Sequence, residues 1–313
     1  MPTARALRLS ESRASRLRPR LEHFAARAPN RLRVGFDPVQ FPRRYSLRED
    51  AEVAALLAAS LAYGRVDGFV PKVEQLLSGM GAHPGAFVRT LDVRSARRLL
   101  RGFVYRFNLG TDVAVLLQGA GKLLRTRGSL EPWVAEPLAR GEGLHAALTH
   151  FVRALRDVPL RPLEAALGPA RGLDHLLPVP LGAGAAKRLN MFLRWMVRGP
   201  DEVDLGLWKN VPPAALVIPL DTHIGRIALR LGLTARKDLS WRTALEITSN
   251  LRRIDGLDPV RFDFALCHHG MSGVCSPRAR AEACGGCELR TVCRVGSRLG
   301  RVASPRQKVR GTR

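Results

Sequence analysis

Apolar residues return every three to four positions in one stretch after another of this chain, and that period commits it to helices. Leu144, Leu148, Phe151 and Leu155 predict a helix over 143–158, and the breaker-free run 185–198 predicts another. Start signals stand where the runs begin. Ser46-Leu47-Arg48-Glu49 reads as a capping box opening an apolar run to Tyr63, and Thr111-Asp112 caps a run to Leu124. Asp221 precedes Ile224, Ile227, Ala228 and Leu231, and Ser240 precedes a run to Arg253. Asp258-Pro259 is a cap followed by proline, predicting a helix over 260–267. No segment alternates as a strand would, and Asn-Gly hairpin turns are missing. The expected fold class is all-α.

An apolar content of 46% excludes a disordered chain and allows a sizeable core. The longest apolar run, residues 53–62, contains Ser60 and is far short of a membrane span. No charged start leads into an apolar segment and cleavage site, so a cytoplasmic protein without a membrane partner is expected. Lys and Arg number 51 against 27 Asp and Glu, a net charge of +24. Residues 1–33 and 294–313 each hold seven of those units, leaving +10 for the body. Basic arms on a basic body fit a polyanion, most simply nucleic acid. The arginines alone number 45, so a compositional bias of the genome accounts for part of this. The Arg-rich start is expected to be a flexible arm rather than a transit peptide.

All five cysteines fall within residues 267–293, which favours a metal centre over a disulfide framework. The spacing Cys275-x8-Cys284-x2-Cys287-x5-Cys293 gathers four thiolates around one point, suited to a cubane iron–sulfur cluster or to zinc. Paired Cys-x2-Cys knuckles favour zinc, and only one pair is present here. Cys267 ends an apolar helical stretch and is expected to be a core thiol.

Pro180-Leu181-Gly182-Ala183-Gly184 precedes the helix that carries Lys187. Two glycines one residue apart allow a tight turn whose amides, with the helix dipole, favour a phosphate. Pro212, Pro213 and Pro219 likewise stiffen the approach to Leu220-Asp221-Thr222-His223. Taken singly, Asp221 reads equally as a helix cap and Lys187 as a solvated lysine.

Together the blocks resemble the helix-hairpin-helix DNA glycosylase superfamily, with endonuclease III the nearest well-understood layout. Leu220-Asp221-Thr222-His223-Ile224-Gly225-Arg226, then His269-Gly270, then the four-cysteine loop match its pattern in order. Residues 187–198 more closely resemble an uncharacterised bacterial family within or beside that superfamily. The resemblance implies a two-lobed helical fold closed by a cysteine cluster loop. Its expected parts are a basic arm (1–33), a lobe carrying Asp221 (34–50 with 201–274) and a helical-barrel lobe ending in the hairpin and Lys187 (51–200). A cluster loop (275–293) and a basic tail (294–313) complete it.

The resemblance assigns Asp221 as catalytic carboxylate and Lys187 as the nucleophile of bifunctional members. It implies Cys275, Cys284, Cys287 and Cys293 as ligands of a [4Fe-4S] cluster, with zinc the alternative. Gly182 and Gly184 look like the hairpin glycines, and Arg188, Arg278, Arg280 and Arg290 are the expected phosphate contacts. Lys187 stands three residues after Gly184, where the endonuclease III pattern has two, and 34 residues before Asp221. The longer interval is more similar to archaeal 8-oxoguanine glycosylases and leans towards oxidised purines. Ala62 replaces a glutamine that such enzymes insert into the DNA stack. Tyr63, Trp195 and Trp208 are candidates for stacking on an extruded base, and Arg188 and Arg194 for a positive field on Lys187.

The implied activity is base-excision repair: glycosidic cleavage plus abasic-site lyase through a lysine Schiff base. The implied partner is double-stranded DNA bearing a damaged or abasic site, bound by a monomer at the bacterial nucleoid. Two alternatives stay open. One is a monofunctional glycosylase in which Asp221 activates water, and the other a non-catalytic iron–sulfur DNA-binding protein.

Overall fold

The structure, a computed structural model, describes residues 7–180 and 184–299. The chain divides into two compact units, one formed by Pro29–Pro219 and one by Met1–Ala28 with Leu220–Arg313. Both are built mainly of helices. Among the described residues no helix is long and apolar enough to cross a membrane.

Helix α1 (Glu11–Arg27) belongs to the second of these units. The first unit then runs through α2 (Asn30–Val34), α3 (Arg48–Leu61), α4 (Val66–Met80), α5 (Pro84–Arg89) and α6 (Val93–Leu100). A minimal hairpin follows, β1 (Val104–Tyr105) and β2 (Asn108–Leu109), paired antiparallel with Tyr105 opposite Asn108. Then come α7 (Gly110–Arg127), α8 (Pro132–Ala139), α9 (Gly143–Arg156), α10 (Leu160–Leu167), α11 (Leu173–Leu176) and α12 (Lys187–Val197). The other unit resumes with α13 (Thr222–Leu231), α14 (Trp241–Arg252), α15 (Asp263–Met271), α16 (Ala281–Gly285) and α17 (Gly296–Leu299).

In the first unit α3 and α7 are buried on nearly every side, as their apolar faces require. Gly119 and Gly121 let α7 touch its neighbours' backbones: a Cβ on them would lie 2.0 Å from Leu155 O and 1.9 Å from Val88 O. Phe192 of α12 stacks on Phe151 at 6.0 Å and meets Trp208 edge-on at 5.3 Å. Each such fully buried side chain contributes about 1.5–3 kcal/mol. Trp195 and Trp208 are therefore core residues rather than platforms for a base.

Several boundaries differ from the expected ones. Residues 29–50 go with the unit of Lys187, because Val39, Phe41 and Pro42 are buried and their segment packs on α3. Residues 201–219 do so too, through Asp204 paired with Arg194 and Arg198, and through Trp208. Residues 11–27 are not a flexible arm. Ala14, Leu17, Leu21 and Phe24 form one buried face of α1, and the Arg13 guanidinium donates to the Leu231 and Val292 carbonyls.

The capping box at Ser46 does not form. Leu47 is the cap residue, without a side-chain bond, and Glu49 pairs instead with Arg89 at 2.8 Å. Asp112 accepts from the Leu109 amide at 2.7 Å, inside a helix that begins at Gly110. Residues 259–262 are turns, so the helix expected after Asp258 begins only at Asp263. The two-residue hairpin turn puts Arg106 at φ 51°, a left-handed conformation that costs a non-glycine residue about 1–2 kcal/mol.

Candidate functional site

Lys187 is the first residue of α12, and the turn before it is strained. Ala186 takes φ 48°, so the left-handed position of this turn falls on an alanine. Strain of this kind costs about 1–3 kcal/mol and tends to collect at functional sites. Gly184 is exposed with open space around its α-carbon, while Gly182 lies outside the described residues.

Lys187 lines a cavity of about 370 Å3 together with Ala62, Tyr63, Gly64, Pro178 and Arg188. The far wall is the end of α3. There Gly64, at φ 80°, leaves room for its neighbours: a Cβ on it would sit 2.8 Å from the Arg106 guanidinium. Ala62 is at this wall.

Tyr63 is held by a dense set of rings. Its ring centre is 4.8 Å from that of Tyr105 and 4.4 Å from that of His175, and Phe107 stacks beyond at 6.5 Å. The Tyr63 hydroxyl is 2.9 Å from the Tyr105 carbonyl and 2.6 Å from Asn108 Oδ1. Tyr105 donates back to the Tyr63 carbonyl. Burial, reinforced by Tyr105, pushes the Tyr63 phenol up to about 12, so it stays a neutral donor. Asp112 braces the set from below by accepting from the Leu109 and Gly172 amides, while Asn108 Nδ2 donates to the Gly172 carbonyl at 2.8 Å. His175 lies below its ordinary pKa, through burial and then the nearby Arg188 and Arg106.

Arg188 is committed to the protein. Its guanidinium donates to the Ser60 and His175 carbonyls and sits 5.3 Å from the Tyr63 ring centre. Burial lowers it to about 10, with Tyr63 acting the other way. It ties α12 to α3, so its donors are aimed away from the role of phosphate contact. Arg194, the other expected source of positive field, is buried against Asp204 at 3.1 Å.

The second group of expected residues lies in the other unit. Asp221 caps α13, its Oδ1 accepting from the His223 and Ile224 amides, both at 2.9 Å. One carboxylate oxygen thus saturates the helix start, as a good N-cap does. The Cys267 thiol is half-buried rather than in the core and donates to Asp221 Oδ2 at 3.8 Å. Arg226 fastens the helix to the cysteine loop, donating to Cys275 O at 2.8 Å and to Gly270 O at 3.1 Å. Gly270 is required there, because a Cβ would lie 2.7 Å from that of His223.

Cys275, Cys284, Cys287 and Cys293 line a single small cavity of about 20 Å3. Two donors face the sulfurs, Arg230 Nη1 to Cys275 at 3.1 Å and the Gly296 amide to Cys293 at 3.3 Å, and His269 Nε2 lies 3.6 Å from the Cys287 sulfur. Burial pushes the Cys287 thiol up, and the other three cysteines add to it. Among the described residues no three His, Cys, Asp or Glu side chains close on a single ion. Arg278 and Arg280 are exposed on this loop, and Arg290 donates to Gly285 O at 3.4 Å.

Sequence reasoning had missed the ring set of Tyr105, Phe107 and His175. Its only signal was the density of aromatic residues in Val104-Tyr105-Arg106-Phe107. The chain matches no curated protein. Residues 37–272 match the model of a family described as Protein of unknown function (DUF2400), a span that includes Lys187 and Asp221 and ends just before Cys275, and the chain belongs to that family.

Proposed function

We propose that this protein is a DNA base-excision glycosylase with an associated abasic-site lyase step, in which Lys187 is the nucleophile and Asp221 the stabilising carboxylate. The observation that carries this reading is the Lys187 cavity. An amine at a strained helix start opens into about 370 Å3 beside a braced phenol ring, space for an extruded base. A lysine with a reference pKa of about 10.4 needs burial or a cationic neighbour to act as a nucleophile. The next residue, Arg188, is such a neighbour, and among the described residues no carboxylate pairs with it.

The neutral amine of Lys187 attacks C1′, and the glycosidic bond breaks with its electron pair leaving on the base, which takes up a proton. Asp221 stabilises the positive charge that builds on the sugar. Ring opening gives an iminium, loss of a 2′ proton expels the 3′ phosphate, and water then frees the amine. Wild-type protein is expected to form a borohydride-trapped adduct with an abasic duplex. Release of the base from a duplex carrying an oxidised purine, without any adduct on either duplex, would favour the monofunctional reading, and neither product would leave only a DNA-binding protein.

The donor set supports a [4Fe-4S] cluster held by Cys275, Cys284, Cys287 and Cys293. Four cysteinyl sulfurs facing one small void suit a cubane cluster, and the single Cys-x2-Cys pair, where zinc knuckles come in two, favours it over zinc. Donors such as those of Arg230 and Gly296 stabilise sulfur ligands and set their orientation. Bound there, a cluster would supply a rigid, redox-capable centre bracing the loop of Arg278 and Arg280. Protein purified without air is expected to be brown, and Cys287→Ser pale. A colourless wild type with stoichiometric zinc would contradict this.

A further inference from the structure

Helix α6 and its C-cap residue carry four arginines that the site above does not use. Arg94, Arg97, Arg98 and Arg101 stand at positions i, i+3, i+4 and i+7, so they share one face, while Ala96 and Leu100 are buried on the other. All four are exposed, and none makes an ion pair among the described residues. The nearest acid, Asp92, is the helix cap. It accepts from the Ser95 amide at 2.7 Å, which is the main cause of its lowered pKa, with Arg94 and Arg98 adding to it.

Like charges three and four apart on a helix repel, so this stripe works against the helix that carries it. Only the end nearest the C-terminus gains from the helix dipole. The neighbouring helix α10 adds the exposed Arg161, and its one carboxylate, Glu164, accepts from the Ala170 amide at 3.1 Å. Beside Arg98 and Ser95 an open cavity of about 410 Å3 lies against Gln75 and Phe87, leaving space for a sugar–phosphate chain. The stripe spans about 10 Å at 1.5 Å per residue, a length over which duplex DNA presents several phosphates.

We infer that the outer face of α6 is a second, sequence-independent contact for the phosphate backbone of duplex DNA flanking the lesion. The inference rests on the DNA reading above. It assigns α6 to holding the duplex and leaves the chemistry to Lys187. The partner is fixed by charge: four uncompensated guanidiniums in a row match a regular polyanion.

The test is the salt dependence of binding by the full chain to a short, fluorescent, undamaged duplex. Replacing Arg94, Arg97, Arg98 and Arg101 together by Gln is expected to flatten the slope of log K against log salt by about 3 to 4, since each phosphate contact contributes about 0.9. The same four changed to Lys keep the wild-type slope. A control carrying Arg16→Gln, Arg20→Gln, Arg153→Gln and Arg242→Gln has equal net charge and is expected to change the slope by less than about 1. Unchanged melting temperatures show that each variant is folded. If the α6 variant and the control flatten the slope equally, or neither does, the α6 contact is overturned while the DNA reading stands. If the wild type does not bind duplex at all, both fall. Loss of binding to anionic vesicles with duplex binding intact would also overturn it.

Discussion

Glu52→Ala is expected to destabilise the unit of Lys187 by about 3–5 kcal/mol, measured as the urea midpoint of unfolding, because it orphans a fully buried cluster. Glu52 is completely enclosed on α3. Its Oε1 accepts from Trp208 Nε1 at 2.7 Å, Ser129 Oγ at 2.6 Å and Arg48 Nε at 3.2 Å, and its Oε2 from the Leu130 amide at 3.0 Å. Arg48 also bonds Glu131 at 2.5 Å, and Glu131 receives the Asn210 amide. Burial works against the Arg48 charge, but Glu131 and Glu52 outweigh it and hold the guanidinium protonated. Alanine would leave three buried donors, on Trp208, Ser129 and Leu130, without their acceptor, each a cost of about 1–3 kcal/mol before relaxation, while the half-exposed Arg48 keeps Glu131. Glu52→Gln keeps acceptor oxygens and is expected to cost less. The helix anchored in this way ends at the wall of the cavity, so the cluster positions Tyr63 without touching a ligand. A loss below about 1 kcal/mol, the usual net worth of one hydrogen bond, would contradict the account.

Asp221→Asn is expected to slow single-turnover base release by about 100- to 1000-fold, the size typical of removing one electrostatic partner of a transition state. Asparagine caps a helix as well as aspartate does, so the α13 cap bonds to His223 and Ile224 survive and stability moves by only a few tenths of a kcal/mol. That separation makes the variant informative. Base release unchanged in Asp221→Asn would mean that the carboxylate is a cap alone.

Much of the helical frame was legible in the residues. The apolar period over 143–158, the unbroken run before Arg198, and the caps at Asp221 and Ser240 all correspond to helices with those starts or spans. What was not legible depended on contacts far along the chain. The spacing of Ala14, Leu17, Leu21 and Phe24 is helical, but nine arginines in the first 33 residues obscured its apolar face. Ser46 has the right chemistry for a cap, yet Glu49 finds Arg89 instead. The hairpin turn carries arginine and phenylalanine where a turn rule looks for glycine or asparagine. Arg188 reads in sequence as one more basic side chain beside a lysine. Only the fold brings the Ser60 and His175 carbonyls to it and changes its role to a tie. Lys187, Asp221 and the four cysteines stand out in the sequence as candidates, while the rings around Tyr63 required the fold.

The most direct test of the central claim is to locate the covalent adduct. Protein is incubated with an abasic duplex, reduced with borohydride and digested, and the modified peptide is sequenced by mass spectrometry. The account predicts a single modified residue, Lys187, and no adduct in Lys187→Ala. An adduct on another amine, or trapping by Lys187→Ala equal to that of the wild type, would contradict it.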